Sequence, residues 1–291
     1  MTEAEIIEKV RRIEIKARGL SNQVFTGEYH SAFKGRGMIF SEVREYQPGD
    51  DVRTIDWKVT ARFNNTYVKI FEEERELTVM LLVDISKSGQ FGTHVQDKKD
   101  LMTEIAAVLA FSAIFNNDNA GILFFSDKVE KYIPPKKGKS HILRIIRECI
   151  VTEPKGQGTN IEAALEYFNS MQKGRSIMFL VSDFMAGTFE KALKISARRH
   201  DVVALNIYDR REQELPDIGL VQVADLETGE LKWVDTSSEQ VRSKFARTAM
   251  MHRLFLDDLF QKCGIDYAHV ATGDNYVKKL SKIFRQREKK R

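Results

Sequence analysis

The chain has 291 residues, 42% hydrophobic and 30% charged, enough for one large core or a core with an appendage. Its 46 Lys and Arg against 42 Asp and Glu leave a formal charge of only +4, too little to argue for nucleic acid from bulk charge. No apolar run approaches the ~20 residues that span a bilayer, the first residues are acidic rather than signal-like, and the two cysteines, Cys149 and Cys263, suggest neither a disulfide framework nor a thiol metal site, so a reduced, cytoplasmic protein is expected.

Thr2 and Glu5 have the spacing of a capping box, and Ile6, Val10, Ile13 and Ala17 recur on one face before Gly19. A helix that ends near Gly19 and docks by this face is expected. From residue 21 to 75 the pattern becomes short alternating runs broken by Gly27, Gly35, Gly37 and Pro48-Gly49, which predicts β-hairpins, with strands at Ile55 to Val59 and Tyr67 to Phe71. Within this region the block Phe40 to Arg62, containing Glu42-Val43-Arg44-Glu45-Tyr46-Gln47-Pro48-Gly49-Asp50-Asp51-Val52-Arg53-Thr54-Ile55-Asp56-Trp57, resembles the signature of a bacterial family called domain of unknown function 58. The resemblance implies a von Willebrand factor A-like domain after the block and a partnership with MoxR-type AAA+ ATPases. Arg44, Arg53, Arg62, Asp50, Asp51 and Asp56 read equally as an interface or as a salt-bridged turn.

Leu77 to Asp84 is a continuous apolar run ending in Asp84-Ile85-Ser86-Lys87-Ser88-Gly89, the pattern of a buried parallel strand that emerges at a crevice. Strand alternation starts Asp84, Ser86 and Ser88 on one face, and a turn near Gly89 would gather their oxygens. Thr159, in Gly156-Gln157-Gly158-Thr159-Asn160, and Asp183, after the run Ile177 to Ser182, would lie at the same sheet edge. Taken singly, Ser86, Ser88 and Asp183 read equally well as turn or helix caps.

In order and spacing, Asp84, Ser86, Ser88, Thr159 and Asp183 together resemble the metal-ion-dependent adhesion site of von Willebrand factor A domains. The resemblance implies Mg²⁺, with Mn²⁺ or Ca²⁺ as alternatives, held by hydroxyls and two acids and left open to an Asp or Glu of a partner protein. One departure is Gly89-Gln90 where the family commonly has Met. A lysine filling the hollow would take the cation's place.

The remaining chain alternates helices and strands. Helices are expected at Asp97 to Phe115, after Ser140 as cap, at Ile161 to Met171, Thr188 to Arg199 and Ser238 to Cys263, and from Asn275 onward. Strands are expected at Asn119 to Phe125, Val129 to Ile133, Val202 to Tyr208 and Asp266 to Val270, with a hairpin of Leu220 to Asp225 and Leu231 to Asp235. Gly138-Lys139-Ser140 lacks the upstream glycine of a phosphate loop.

The expected fold class is α/β, a doubly wound, mostly parallel sheet with an N-terminal helix and a small β-rich appendage. The expected division is 1–76 for helix and β-rich segment, 77–286 for the von Willebrand factor A-like domain and 287–291 for a basic tail. A non-enzymatic, metal-dependent protein-binding module acting with the ATPase is expected. Two rivals stand beside it. A metal-dependent hydrolase or phosphatase would want a second acid where Ser86 stands, and a metal-independent scaffold would bind through Phe40 to Arg62.

Overall fold

The computed structural model describes residues 2–25, 37–63, 65–74, 77–90, 97–156, 158–224 and 231–289. The chain forms two compact units, one of residues 1–32 and 78–291 and one of residues 33–77. Parts of the expected turns (Gly27, Gly35), the hairpin loop 226–230 and the last two residues of the basic tail lie outside the described residues.

In the smaller unit β1 (Gly37–Glu45) pairs antiparallel with β2 (Tyr67–Glu74). Arg44 donates two hydrogen bonds to the carboxylate of Asp50, at 2.7 and 2.8 Å, and Asp50 also accepts from the Gln47 amide at 2.8 Å. This ties the turn at Pro48-Gly49 to the strand before it. The expected strand Ile55 to Val59 is absent. Ile55 makes one bridge to Val68, and Trp57–Phe63 is a short helix, α2. Asp56 accepts from the amides of Lys58 and Val59, and an acid capping a first turn outweighs the β-propensity of the Ile, Trp and Val around it.

In the larger unit, α1 (Glu3–Phe25) opens with the expected capping box, in which Thr2 N donates to Glu5 Oε2 at 2.8 Å and Glu5 N to Thr2 Oγ1 at 3.3 Å. The helix runs through Gly19 rather than ending there. It packs on α3 (Lys98–Phe115), with Ala17 fully buried, Lys9 paired to Asp100 and Lys16 to Glu104. Those contacts explain why the helix belongs with the large sheet and not, as the sequence division has it, with the β-rich segment.

The central sheet contains β3 (Thr78–Asp84), β4 (Asn119–Phe125), β5 (Val129–Lys136), β6 (Ile177–Ser182), β7 (Asp201–Tyr208) and β10 (Asp266–Ala271), in the order β10-β7-β6-β3-β4-β5. Every pairing is parallel except β4 with β5. This is the expected doubly wound, mostly parallel α/β fold. The inner strands β3, β4, β6 and β7 are buried nearly throughout because helices cover both faces, while the edge strands β5 and β10 are more polar.

The covering helices are α3, α4 (Lys139–Val151), α5 (Ile161–Met171), α6 (Glu190–Arg199), α7 (Glu239–Cys263) and α8 (Tyr276–Lys289). Gly138, not Ser140, stands at the cap position of α4, and its φ of 103° suits glycine. The hairpin of β8 (Leu220–Ala224) and β9 (Leu231–Asp235) forms as expected. The basic tail begins later than 287, because α8 includes Arg287, which is buried and pairs with Asp201 and Asp266.

Candidate functional site

After β3 the chain steps to β4 and β5 on one side, then returns to build β6, β7 and β10 on the other. The strand order reverses between β3 and β6, and open α/β sheets leave a crevice at such a switch point, outside the C-terminal strand ends. Asp84 ends β3, and Ser182 ends β6 with Asp183 next in sequence. The fold thus delivers both predicted acids to the place where a ligand site is expected.

Asp84 is 3% exposed. Its Oδ1 accepts from the Ser86 amide at 2.9 Å and its Oδ2 from Ser182 Oγ at 2.6 Å. Burial first, and then the negative charge of Asp183, push its carboxyl up to about 7, against the bonds from Ser182 and Ser86 that favour ionisation. Ser86 Oγ and Ser88 Oγ lie 2.9 Å apart, the first buried and the second half-buried.

Asp183 begins a tight turn. Its Oδ1 accepts from the Met185 amide at 3.1 Å, and Ser182 Oγ accepts from the Phe184 amide at 2.9 Å. Phe184 takes a φ of 56°, which a side chain of this size rarely adopts. Its ring is fully buried against Phe189 and Phe260, and that packing holds the strained backbone in place.

Thr159 reaches the same edge by another route. The Asn160 amide donates to the Ser126 carbonyl at 2.7 Å, just past the end of β4, and Asn160 Oδ1 caps α5 by accepting from Ala163 N at 3.0 Å. Upstream, Glu130 Oε1 accepts from Ser126 Oγ and from the amides of Lys155 and Gly156. Burial alone would raise the Glu130 carboxyl, but these three bonds hold it below its ordinary range. The loop bearing Thr159 is therefore anchored to the turn between β4 and β5.

Lys98, at the start of α3, was not singled out by sequence reasoning. Its side chain is wholly buried, and its ammonium donates to Asp183 Oδ2 at 2.9 Å and to Glu212 Oε1 at 2.6 Å. Burial alone would lower its pKa; the charges of Asp183 and Glu212 hold it above the ordinary lysine value. Glu212 lies in a single 3₁₀ turn after β7, where its other oxygen accepts from the Asp209 amide at 2.8 Å. Ser182 and Glu212 were likewise missed. Neither has a motif, since each acquires its role only when β6 and β7 come to lie beside β3.

The donor set fits a divalent cation in two respects. Adjacent corners of a Mg²⁺ octahedron with bonds of about 2.05 Å stand about 2.9 Å apart, so the Ser86 and Ser88 hydroxyls, hydrogen-bonded to each other at 2.9 Å, could face one ion without moving. Lys98 pairs with Asp183 and Glu212, and Asp84 lies close enough to Asp183 to feel its charge, so the three acids carry two more charges than the one ammonium balances when all are ionised. Against this, Lys98 occupies Asp183 Oδ2, one of the oxygens expected to face the metal. Among the described residues no group of three His, Cys, Asp or Glu side chains is placed to hold a metal; a site here would depend on hydroxyls.

These features define a doubly wound α/β protein with an acid-and-hydroxyl crevice at its switch point. A family model described as "Protein of unknown function DUF58" matches residues 42–254, and the chain belongs to that family. An uncharacterized protein of Mycobacterium tuberculosis is 29% identical over 284 residues, covering 96% of this chain and 89% of its own. The uncharacterized protein YeaD of Bacillus subtilis is 26% identical over 133 residues, 46% of this chain and 30% of its own. Among solved structures, an aerotolerance-related membrane protein from Bacteroides fragilis is similar with a TM-score of 0.50 at 18% identity, over 74% of this chain and 100% of that one. Among the described residues no helix is long and apolar enough to cross a membrane.

Proposed function

We propose that the chain is a non-enzymatic protein-binding module of the von Willebrand factor A type, which recognises an Asp or Glu of a partner protein through a divalent cation, Mg²⁺ in the first instance. Ser86, Ser88 and Thr159 would hold the ion with neutral oxygens, and Asp84 and Asp183 would supply charge directly or through water. Bound there, the cation would offer an open coordination position to an incoming carboxylate. The single observation carrying this reading is the pair of hydroxyls 2.9 Å apart beside a buried, charge-rich crevice.

The chain's own residues do the positioning. Ser182 and the Ser86 amide fix both oxygens of Asp84, and the buried Lys98 offsets Asp183 and Glu212. Lys98 is 0% exposed, so it cannot itself grip a partner's acid. Ser86 stands where an aspartyl-nucleophile hydrolase would place its second acid, and on that ground binding is preferred to catalysis. Resemblance alone adds a role as adaptor or chaperone-like partner of a MoxR-type AAA+ ATPase.

The test is affinity capture from the source cell in Mg²⁺ and in chelator, with the wild type and the double variant Ser86→Ala, Ser88→Ala. Mg²⁺-dependent capture lost in the folded double variant is the expected result. Equal capture in chelator sinks it. The second reading, a metal-independent scaffold, is favoured by Lys98 on Asp183 and predicts that outcome.

A further inference from the structure

Beside the crevice, and sharing Asp183 and Glu212 with it, lies a cavity of about 280 Å³. Met185, Tyr208, Phe245 and Ala249 supply most of its apolar wall, and Asn206 and His252 also line it. Two buried polar atoms of these lining residues, Asn206 Oδ1 and His252 Nε2, have no hydrogen-bond partner among the described residues. Such orphans are uncommon in buried positions and call for an occupant.

The orientation of Asn206 is set by a relay. Asp257 Oδ1 can only accept, so His269 Nε2, at 2.8 Å, carries the proton. Burial keeps His269 below its ordinary pKa and hence neutral, which leaves Nδ1 bare to accept from Asn206 Nδ2 at 2.9 Å. The amide oxygen is then the group left over, an acceptor that needs an N–H or O–H. Asn206 is only 6% exposed, on β7 directly beside Ser182 of β6.

A volume of about 280 Å³ lies just under the range of roughly 300–1,000 Å³ typical of small-molecule sites. One ring system fits it better than a nucleotide-sized ligand. An apolar body with a single donor describes the side chains of Trp and Tyr.

We propose that this cavity is a side-chain pocket for a Trp or Tyr of the same partner segment that presents its acid to the crevice. The inference rests on the reading above for the partner, while the chemistry of the pocket stands apart from any metal.

The experiment uses the full chain. Indole and p-cresol are titrated in chelator and followed through the methyl resonances of Met185 and Ala249, with benzothiophene and toluene as donor-free controls. Saturable shifts are expected, at least fivefold tighter for indole than for benzothiophene. Ala249→Trp, which fills the cavity, should abolish them and weaken Mg²⁺-dependent capture of the partner, and Asn206→Leu should erase the preference for indole. Thermal melts of both variants verify folding. Peptides with Glu and Trp separated by one to four glycines should bind more tightly in Mg²⁺ than indole does. No saturation, equal binding of benzothiophene, or binding that survives Ala249→Trp overturns the pocket and would leave a bridging water as its occupant. Indole binding without any gain from the peptides overturns the shared partner and leaves the pocket as a small-molecule site.

Discussion

Lys98 is a buried cation whose removal would strand two carboxylates. Breaking one half of a buried ion pair costs about 3–5 kcal/mol, so Lys98→Met should lower stability by that order in chelator. If the crevice takes a dication, added Mg²⁺ should recover part of the loss, measured as a shift in urea midpoint; no recovery would favour Lys98 as the resident cation. His200 gives the pH prediction. Its ring is 2% exposed, with Ser176 Oγ at 3.1 Å from Nδ1 and Phe168 against its face. Burial, then Arg199 and Arg175, lower it from 6.5 to about 4. The neutral ring therefore contributes stability that is complete above pH 6.5 and lost as pH falls through about 4. The loss is at most about 3 kcal/mol, and His200→Gln should flatten the stability profile across that window.

Among the elements, the loop before α5 depends on a glycine for steric reasons. A Cβ on Gly156 would stand 1.5 Å from Asp127 Oδ1 and 2.8 Å from Ser126 Oγ. Gly156→Ala should cost about 1–3 kcal/mol as an overpacked site and weaken Mg²⁺ affinity through the displaced Thr159 loop. Adding Asp127→Ala should restore much of both, and a double-mutant cycle measures the coupling. The helix α2 shows how local capping overrides pattern, since Asp56 sits where a β-rich run suggested a strand. By contrast the apolar stripe of α1 foretold its docking, because a face of Ile6, Val10, Ile13 and Ala17 has to be covered somewhere.

At the scale of the molecule, the two compact units separate the competing binding readings. Arg53 lies in the unit of residues 33–77 and the crevice in the other. Arg53→Glu should leave Mg²⁺-dependent capture unchanged within twofold if the crevice binds, and should break capture if Phe40 to Arg62 does. The parallel strands were legible because strands buried on both faces must be apolar throughout, and Asp84 and Asp183 were legible because each follows such a run. The order β10-β7-β6-β3-β4-β5 was not. By itself the sequence determined which segments are buried and which oxygens emerge at strand ends, since burial is written in local hydrophobicity. Tertiary structure alone decided that Lys98 and Glu212 meet Asp183 and that Asn206 and His252 line one cavity, because contacts between residues far apart in sequence depend on strand order, and local patterning carries no record of it.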